Sequence, residues 1–416
     1  MESFFAAARQ DARTRDTADP LATMRHKFLI ADGTVNLDGN SLGSMPRAVV
    51  SRLDQTLGKE WSEGLIRSWG GADWFRLPEI VGDRIAPLIG AGPGEVVVGD
   101  STSVNLFKCM AAALALRPDR RVLLIQEDNF PTDNYIAQGL ASLVPGVELR
   151  AVKTGDAFLT AIDDKVAALI LSHVHYRSAK IEDMAAINAR AAQAGALTIW
   201  DLSHSTGAVR VDLNGSGADF AVGCSYKYLN GGPGAPAFVW IAARHVAQVR
   251  QPLSGWMGHR APFAFDFDYR PADGMRRFVC GTPQILSLSA LDEALKLWAE
   301  VDLDALFAKS RAMTDLFIAL VEKSCAEFGL RLDTPRDPMT RGSHVVFGYA
   351  HGLSVVRAMA AEGIIGDFRA PDAMRFGFAP LYIRFADVVR AAETLHRILA
   401  TRGWDRAEFR GDSVVT

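Results

Sequence analysis

Cysteine is scarce in this chain. Its 416 residues include four, Cys109, Cys224, Cys280 and Cys325, far apart and without a CxxC pair. That spacing offers neither a disulfide framework nor a zinc site, and it fits a reducing, cytoplasmic compartment. Long apolar runs are missing too: no stretch reaches the roughly 18 unbroken apolar residues a membrane-spanning helix needs. Near the N-terminus the apolar run is only Phe4 to Ala8, and it follows Glu2 where a signal peptide would have a basic region, so no signal peptide is expected. An excess of one charge is also lacking. A formal net charge of -3 gives no electrostatic footing for nucleic acid or an anionic membrane surface. Internal repeats, low-complexity tracts and the HExxH pattern of zinc hydrolases are absent as well. What remains is small-molecule chemistry in a chain whose length suggests two domains.

From Glu95 the sequence becomes rhythmic. Short apolar runs at Val96-Val98, Val122-Gln126, Val147-Val152, Val166-Leu171 and Ala196-Trp200 alternate with helix-like segments such as Val104-Leu116 and Asp183-Ala194. This alternation predicts βαβ units and a mainly parallel sheet, an α/β architecture. Two further runs, Ala218-Cys224 and Ala237-Ala242, flank a glycine-rich turn and are expected to be antiparallel neighbours. The large domain is expected over 50-285. A long helical pattern over Leu286-Phe328, short strands near Ser343-Phe347 and Met374-Phe378, and helices at Leu353-Ala361 and Phe385-Ala400 predict a smaller α+β domain over 286-416, with 1-49 packing alongside it. An amphipathic helix is expected over Pro46-Trp61. The loop after it carries Arg67, Trp69 and Trp74, which either line a pocket for an aromatic substrate or pack a seam.

In open α/β sheets, ligands bind at the carboxyl ends of the strands, and polar residues gather there in this sequence. Lys227 follows an apolar run and precedes Asn230-Gly231-Gly232-Pro233-Gly234. A lysine at the end of a buried strand is poorly hydrated, which favours the neutral amine, the nucleophile that forms a Schiff base with a carbonyl. Asp201, one strand earlier, is placed to hold a proton on a heterocyclic nitrogen, although a capping or ion-pairing aspartate would look the same. Ser101-Thr102-Ser103 stand where a strand gives way to a helix, so their hydroxyls and amides suit a phosphate, or only the cap of that helix. Tyr226 can add a phenol to the same phosphate. Phe130-Pro131-Thr132-Asp133 offers a ring for stacking with polar groups behind it. His173, His175 and His204 with Asp201 allow a metal reading, but no ligand spacing supports it and no metal is expected. The turn Asp38-Gly39-Asn40-Ser41-Leu42-Gly43 brings backbone amides together, for a ligand or simply for the turn.

The segments DGNSLG, DSTSVNLFK, FPTD, WDLSHSTGAV, SYKYLNGGPG, LSGWMGH and MRFGFAPLY, in this order and spacing, resemble the kynureninase family. Kynureninases are pyridoxal-phosphate enzymes of the aminotransferase class V group, with the aspartate-aminotransferase fold (fold type I). The resemblance spans nearly the whole chain. It implies that Lys227 carries the cofactor and acts as base, that Asp201 pairs with the pyridinium nitrogen, and that Phe130 stacks on the ring. Thr102, Ser103, Pro131, Thr132, Asp133, Ser172, His204 and Tyr226 would complete the pocket, with Tyr226 as a proton relay. Trp256 and Thr282 would reach the cofactor of a partner subunit, making a homodimer the active form. Arg375 would clamp the amino-acid carboxylate and Trp69 border the substrate's aromatic ring. The implied reaction is hydrolysis of L-kynurenine to anthranilate and L-alanine in tryptophan catabolism. Thr282, where an asparagine accompanies preference for the 3-hydroxy substrate, points to plain kynurenine.

Overall fold

Valine- and leucine-rich runs fully buried on both faces build the centre of the fold, as expected where helices cover a parallel sheet. In the computed structural model, which describes residues 1-411, seven strands form one sheet. They are β1 (Val96–Val98), β2 (Val122–Gln126), β3 (Glu148–Val152), β4 (Val166–Ser172), β5 (Leu197–Asp201), β6 (Phe220–Gly223) and β7 (Phe238–Ile241). Their order is β1-β7-β6-β5-β4-β2-β3, and every pairing is parallel except the two made by β7. The expected antiparallel pair is therefore β6 with β7. The helix Thr102–Leu116 buries Leu106, Cys109, Met110 and Ala113 against the sheet.

This sheet lies in a unit formed by Ala48–Tyr176 and Glu182–Ala299. The unit continues past the expected boundary at 285, because the helix Ile285–Lys296 packs on the helices Leu77–Ile85 and Ala48–Gln55. Two helical expectations need correction. Pro46-Trp61 is a shorter α-helix, Ala48–Gln55, that widens into a π-helical stretch over Thr56–Gly64, where the Thr56 hydroxyl bonds back to the Arg52 carbonyl at 2.9 Å. The Leu286-Phe328 pattern is broken after Lys296. A new helix, Leu303–Ser324, starts at Asp302, whose carboxylate accepts the amides of Asp304 and Ala305.

The second unit comprises Met1–Arg47, Arg177–Ile181 and Glu300–Thr416, of which residues 412-416 lie outside the described residues. Strands β8 (Arg331–Leu332), β9 (His344–Gly348), β10 (Asp367–Arg369) and β11 (Ala373–Gly377) form an antiparallel sheet in the order β8-β9-β11-β10. Phe317 of the helix Leu303–Ser324 packs among Phe347, Phe376 and Phe378. The N-terminal helix Glu2–Ala18 packs on the helix Phe385–Ala400. Among the described residues no helix is long and apolar enough to cross a membrane.

Helix-to-sheet contact in the larger unit is close enough to test. A Cβ at Gly82 would lie 2.2 Å from the backbone oxygen of Val96, and neither backbone can step aside without moving a whole element. Gly82→Ala is expected to destabilise the protein by about 1–3 kcal/mol. The check is thermal unfolding, and a variant that melts with the wild type would contradict this packing.

Candidate active site

The parallel strands end along one edge, and the chain leaves each of them through a polar turn. Where β1 ends, Asp100 takes a left-handed conformation (φ 55°), held by Lys108, whose fully buried ammonium donates to Asp100 Oδ2 at 2.5 Å and to the Phe278 carbonyl at 2.6 Å. The turn delivers Ser101 as the cap of the helix Thr102–Leu116, its hydroxyl accepting the Val104 amide at 3.3 Å. The amides of Thr102 and Ser103, in the first turn, have no carbonyl within the helix to bond to and stand at the positive end of the helix dipole.

After β2, Phe130 precedes the helix Pro131–Leu143, with Pro131 in its first turn. The Phe130 ring is about two-fifths exposed and meets Tyr176 edge-on at 5.4 Å. Asp133 in the same turn is buried. Its Oδ2 accepts Asn129 Nδ2 at 2.8 Å, while Oδ1 is buried without a hydrogen-bond partner. Burial first, and then the charge of Asp201, push the Asp133 carboxyl well above the ordinary carboxylate range. Ser172, at the end of β4, donates to Asn129 Oδ1 at 2.6 Å, so Asn129 links Ser172 to Asp133. β5 ends on Asp201, whose Oδ1 accepts the Ser203 amide at 2.7 Å.

Past β6 the chain turns tightly. Ser225 Oγ donates to the Pro236 carbonyl at 2.6 Å and Gly231 N to the Ser225 carbonyl at 2.9 Å, while Gly232 and Gly234 take positive φ. This turn holds Lys227. Its Nζ lies 3.4 Å from both ring nitrogens of His204 and 5.9 Å from the centre of the Tyr226 ring. The Tyr226 phenol is pushed up, first by the neighbouring Cys224 sulfur and then by burial.

A cavity of about 230 Å³ gathers Asp100 to Ser103, Phe130, Thr132, Asp133, Asp201, Ser203, His204, Cys224, Tyr226 and Lys227. Of the residues expected here, Pro131 and Ser172 lie just behind this lining. Trp69, Trp256 and Thr282 do not border it. Trp69 is half-buried against the core and edge-on to Trp74 at 6.0 Å, and Trp74 is buried with its indole N–H on Glu60 Oε2 at 2.8 Å. Trp256 and Thr282 are exposed. Arg375 belongs to the other unit, on β11. The histidines do not form a cluster with Asp201: His173 Nδ1 meets Ser205 Oγ at 3.0 Å, with burial pushing that ring down to about 4, and His175 Nε2 meets the Asp128 carbonyl at 2.8 Å. Among the described residues no group of three or more potential metal ligands forms. Asn129 and Cys224 are not among the expected site residues. Asn129 sits directly before FPTD and Cys224 closes the β6 run, but nothing in the order of residues tells a lining side chain from a buried neighbour.

The fold places the chain in a class. It matches a cysteine desulfurase from Thermococcus onnurineus NA1 with a TM-score of 0.76 at 17% identity, covering 91% of this chain and 98% of that one. A cysteine desulfurase from Escherichia coli gives 0.75 at 18% identity, covering 92% and 98%. At such identities the likeness is one of fold, that of the fold type I pyridoxal-phosphate enzymes.

Sequence comparison narrows this. Residues 306–395 match the family described as the kynureninase C-terminal domain. Kynureninase from Burkholderia pseudomallei is 51% identical over 413 residues, 98% of this chain and 99% of that protein. Kynureninase from Pseudomonas fluorescens is 47% identical over the same span. The chain belongs to the kynureninase family, pyridoxal-phosphate-dependent enzymes that act on carbon–carbon bonds.

The Asp133 carboxyl gives the site a testable signature. An acid whose folded pKa lies above its unfolded value favours the folded state at low pH and loses that contribution as pH rises toward the folded pKa. Asn has nearly the same shape as a neutral Asp. The cofactor-free Asp133→Asn protein is therefore expected to melt at or above the wild type at pH 7, with the difference closing by pH 4. Melting several degrees below the wild type at pH 7 would contradict the assignment.

Proposed function

We propose that the protein hydrolyses the Cβ–Cγ bond of L-kynurenine to give anthranilate and L-alanine in tryptophan catabolism, and secondarily that of its 3-hydroxy form, to give 3-hydroxyanthranilate and L-alanine. The observation that carries this reading is the meeting of Lys227, Asp201 and Asp133 in one cavity, in a chain about half identical to kynureninases along nearly its full length.

The residues fit pyridoxal phosphate. The first-turn amides and hydroxyls of Thr102 and Ser103, with Tyr226, form a donor set for a phosphate dianion. Phe130 offers a half-exposed ring face, with Pro131 and Thr132 shaping the turn behind it. The unpartnered Oδ1 of Asp133 awaits a polar partner, with Ser172 bracing it through Asn129. When bound, the cofactor supplies an electron sink for the pair released at the substrate's α-carbon.

Lys227 is assigned as the residue that would tether the cofactor and whose free amine would act as the base for the substrate's α-proton. His204, in contact with its Nζ, steadies the freed amine. Asp201 would be the partner for the protonated ring nitrogen of the cofactor. Tyr226, its phenol pushed up and so protonated at neutral pH, is the donor that relays a proton to the β-carbon as anthranilate leaves. Water supplies the oxygen of the new carboxylate, so one water is consumed for each alanine formed. Arg375 takes the α-carboxylate with a planar two-pronged donor, and Trp69 is assigned to the aromatic end of the substrate. Trp256 and Thr282, exposed and outside this chain's own cavity, are assigned to the cavity of a second copy, which makes a cytoplasmic homodimer the working form.

A desulfurase reading needs a mobile, reactive cysteine at the substrate. Cys280 does not line the cavity, and Cys224, which does, is buried with its thiol pushed up by that burial.

The test is an assay of the cofactor-loaded protein with L-kynurenine. Anthranilate fluorescence is expected to appear with alanine in a one-to-one ratio, and Lys227→Ala to lower turnover at least about a thousandfold. No anthranilate from fully loaded protein would remove the named activity and leave the fold standing.

A further inference from the structure

The DGNSLG turn, Asp38 to Gly43, takes no part in the cavity around Lys227. Its residues crowd β11, the strand that carries Arg375. Asp38 bridges to Gly377, and the Gly377 amide donates to the Leu37 carbonyl at 2.6 Å. A Cβ at Gly377 would fall 1.9 Å from Asn40 Oδ1, so turn and strand meet where a side chain on the strand would not fit.

What the turn delivers is Ser41. Arg375 is only 2% exposed, and one edge of its guanidinium is gripped by Asp367, its cross-strand partner on β10. Nε donates to Asp367 Oδ1 at 2.7 Å and Nη2 to Asp367 Oδ2 at 2.5 Å. Ser41 closes the triangle, accepting from Nη2 at 3.1 Å and donating to Asp367 Oδ2 at 2.8 Å. Although burial opposes it, the hydrogen bonds and charge of Arg375 hold the Asp367 carboxyl below its ordinary value. Asp38 and Arg369 complete the charged cluster, with Arg369 Nη2 at 2.9 Å from Asp367 Oδ2.

Arginine has a long flexible stem, and two-pronged recognition of a carboxylate works only when the plane of the guanidinium is fixed. A carboxylate along the Nε edge sets that plane and the direction of the terminal nitrogens. For folding alone, a buried ion pair gives little beyond what an apolar pair of the same volume would give. We propose that Asp367 and Ser41 are positioning residues that fix the Arg375 guanidinium for the α-carboxylate of the amino-acid substrate, and that the DGNSLG turn is the frame that places Ser41. This rests on the reading of Arg375 as the carboxylate clamp.

The experiment compares Asp367→Asn, Ser41→Ala and Arg375→Lys in the cofactor-loaded full chain. It reads kcat and KM for L-kynurenine, the affinity for L-alanine from the cofactor's absorbance change, cofactor content and melting temperature. Asp367→Asn is expected to raise KM and the L-alanine Kd roughly tenfold, with kcat within about threefold and cofactor content unchanged, and Ser41→Ala to shift both in the same direction by about two- to fivefold. A purely structural pair would lower the melting temperature and leave KM alone, and that result overturns the proposal. Should Asp367→Asn fail to fold, an unchanged KM in Ser41→Ala overturns it equally. If Arg375→Lys leaves KM unchanged, the clamp reading falls and this inference with it. If Arg375→Lys raises KM and the other two do not, only the positioning role falls.

Discussion

Asp133 and Asp201 reach the same cavity from two different strand ends, and the amine they share it with is Lys227. Burial, and then the charge of Asp201, raise the Asp133 carboxyl well above the ordinary carboxylate range. The arrangement depends on the parallel sheet, because only strands running the same way bring β1, β2, β5 and β6 to one edge with their polar turns facing one space. Every other part of the site follows. The helix Thr102–Leu116 presents its first-turn amides there because it leaves β1, and the Ser225-to-Pro236 turn holds Lys227 there because it leaves β6.

Fold and family carry different information in this chain. Structures less than a fifth identical share its architecture over nine-tenths of its length, and the architecture alone does not choose among their chemistries. The choice rests on the site and on relatives about half identical from end to end. Cys224 illustrates the distinction. A cysteine in the cavity of this fold invites sulfur chemistry, yet Cys224 is buried and that burial pushes its thiol up, away from the reactive thiolate.

Much of the large sheet was legible because its strands are short, uniformly apolar and separated by helices of clear periodicity, and Val96, Val122 and Leu197 all begin strands within a residue of the reading. That Lys227, Asp201 and the Ser101-to-Ser103 step share one cavity was legible because the ends of parallel strands gather along one edge of such sheets. Trp69 and Trp74 were not, since an indole in a polar loop reads the same whether it faces a ligand or, as with Trp74, buries its N–H on a carboxylate such as Glu60. The helix break after Lys296 was missed because apolar periodicity continues across it and only the cap at Asp302 marks the restart. Asn129 escaped notice because its role, joining Ser172 to Asp133, exists only when β2 and β4 lie side by side.

Attachment of pyridoxal phosphate at Lys227 is tested most directly by reducing the cofactor-loaded protein with borohydride and mapping the labelled peptide. The reduced pyridoxyl group is predicted on Lys227, in the peptide containing Ser225-Tyr226-Lys227-Tyr228, at one per chain. A label on any other lysine, or a protein that binds no pyridoxal phosphate, would contradict the assignment of this cavity.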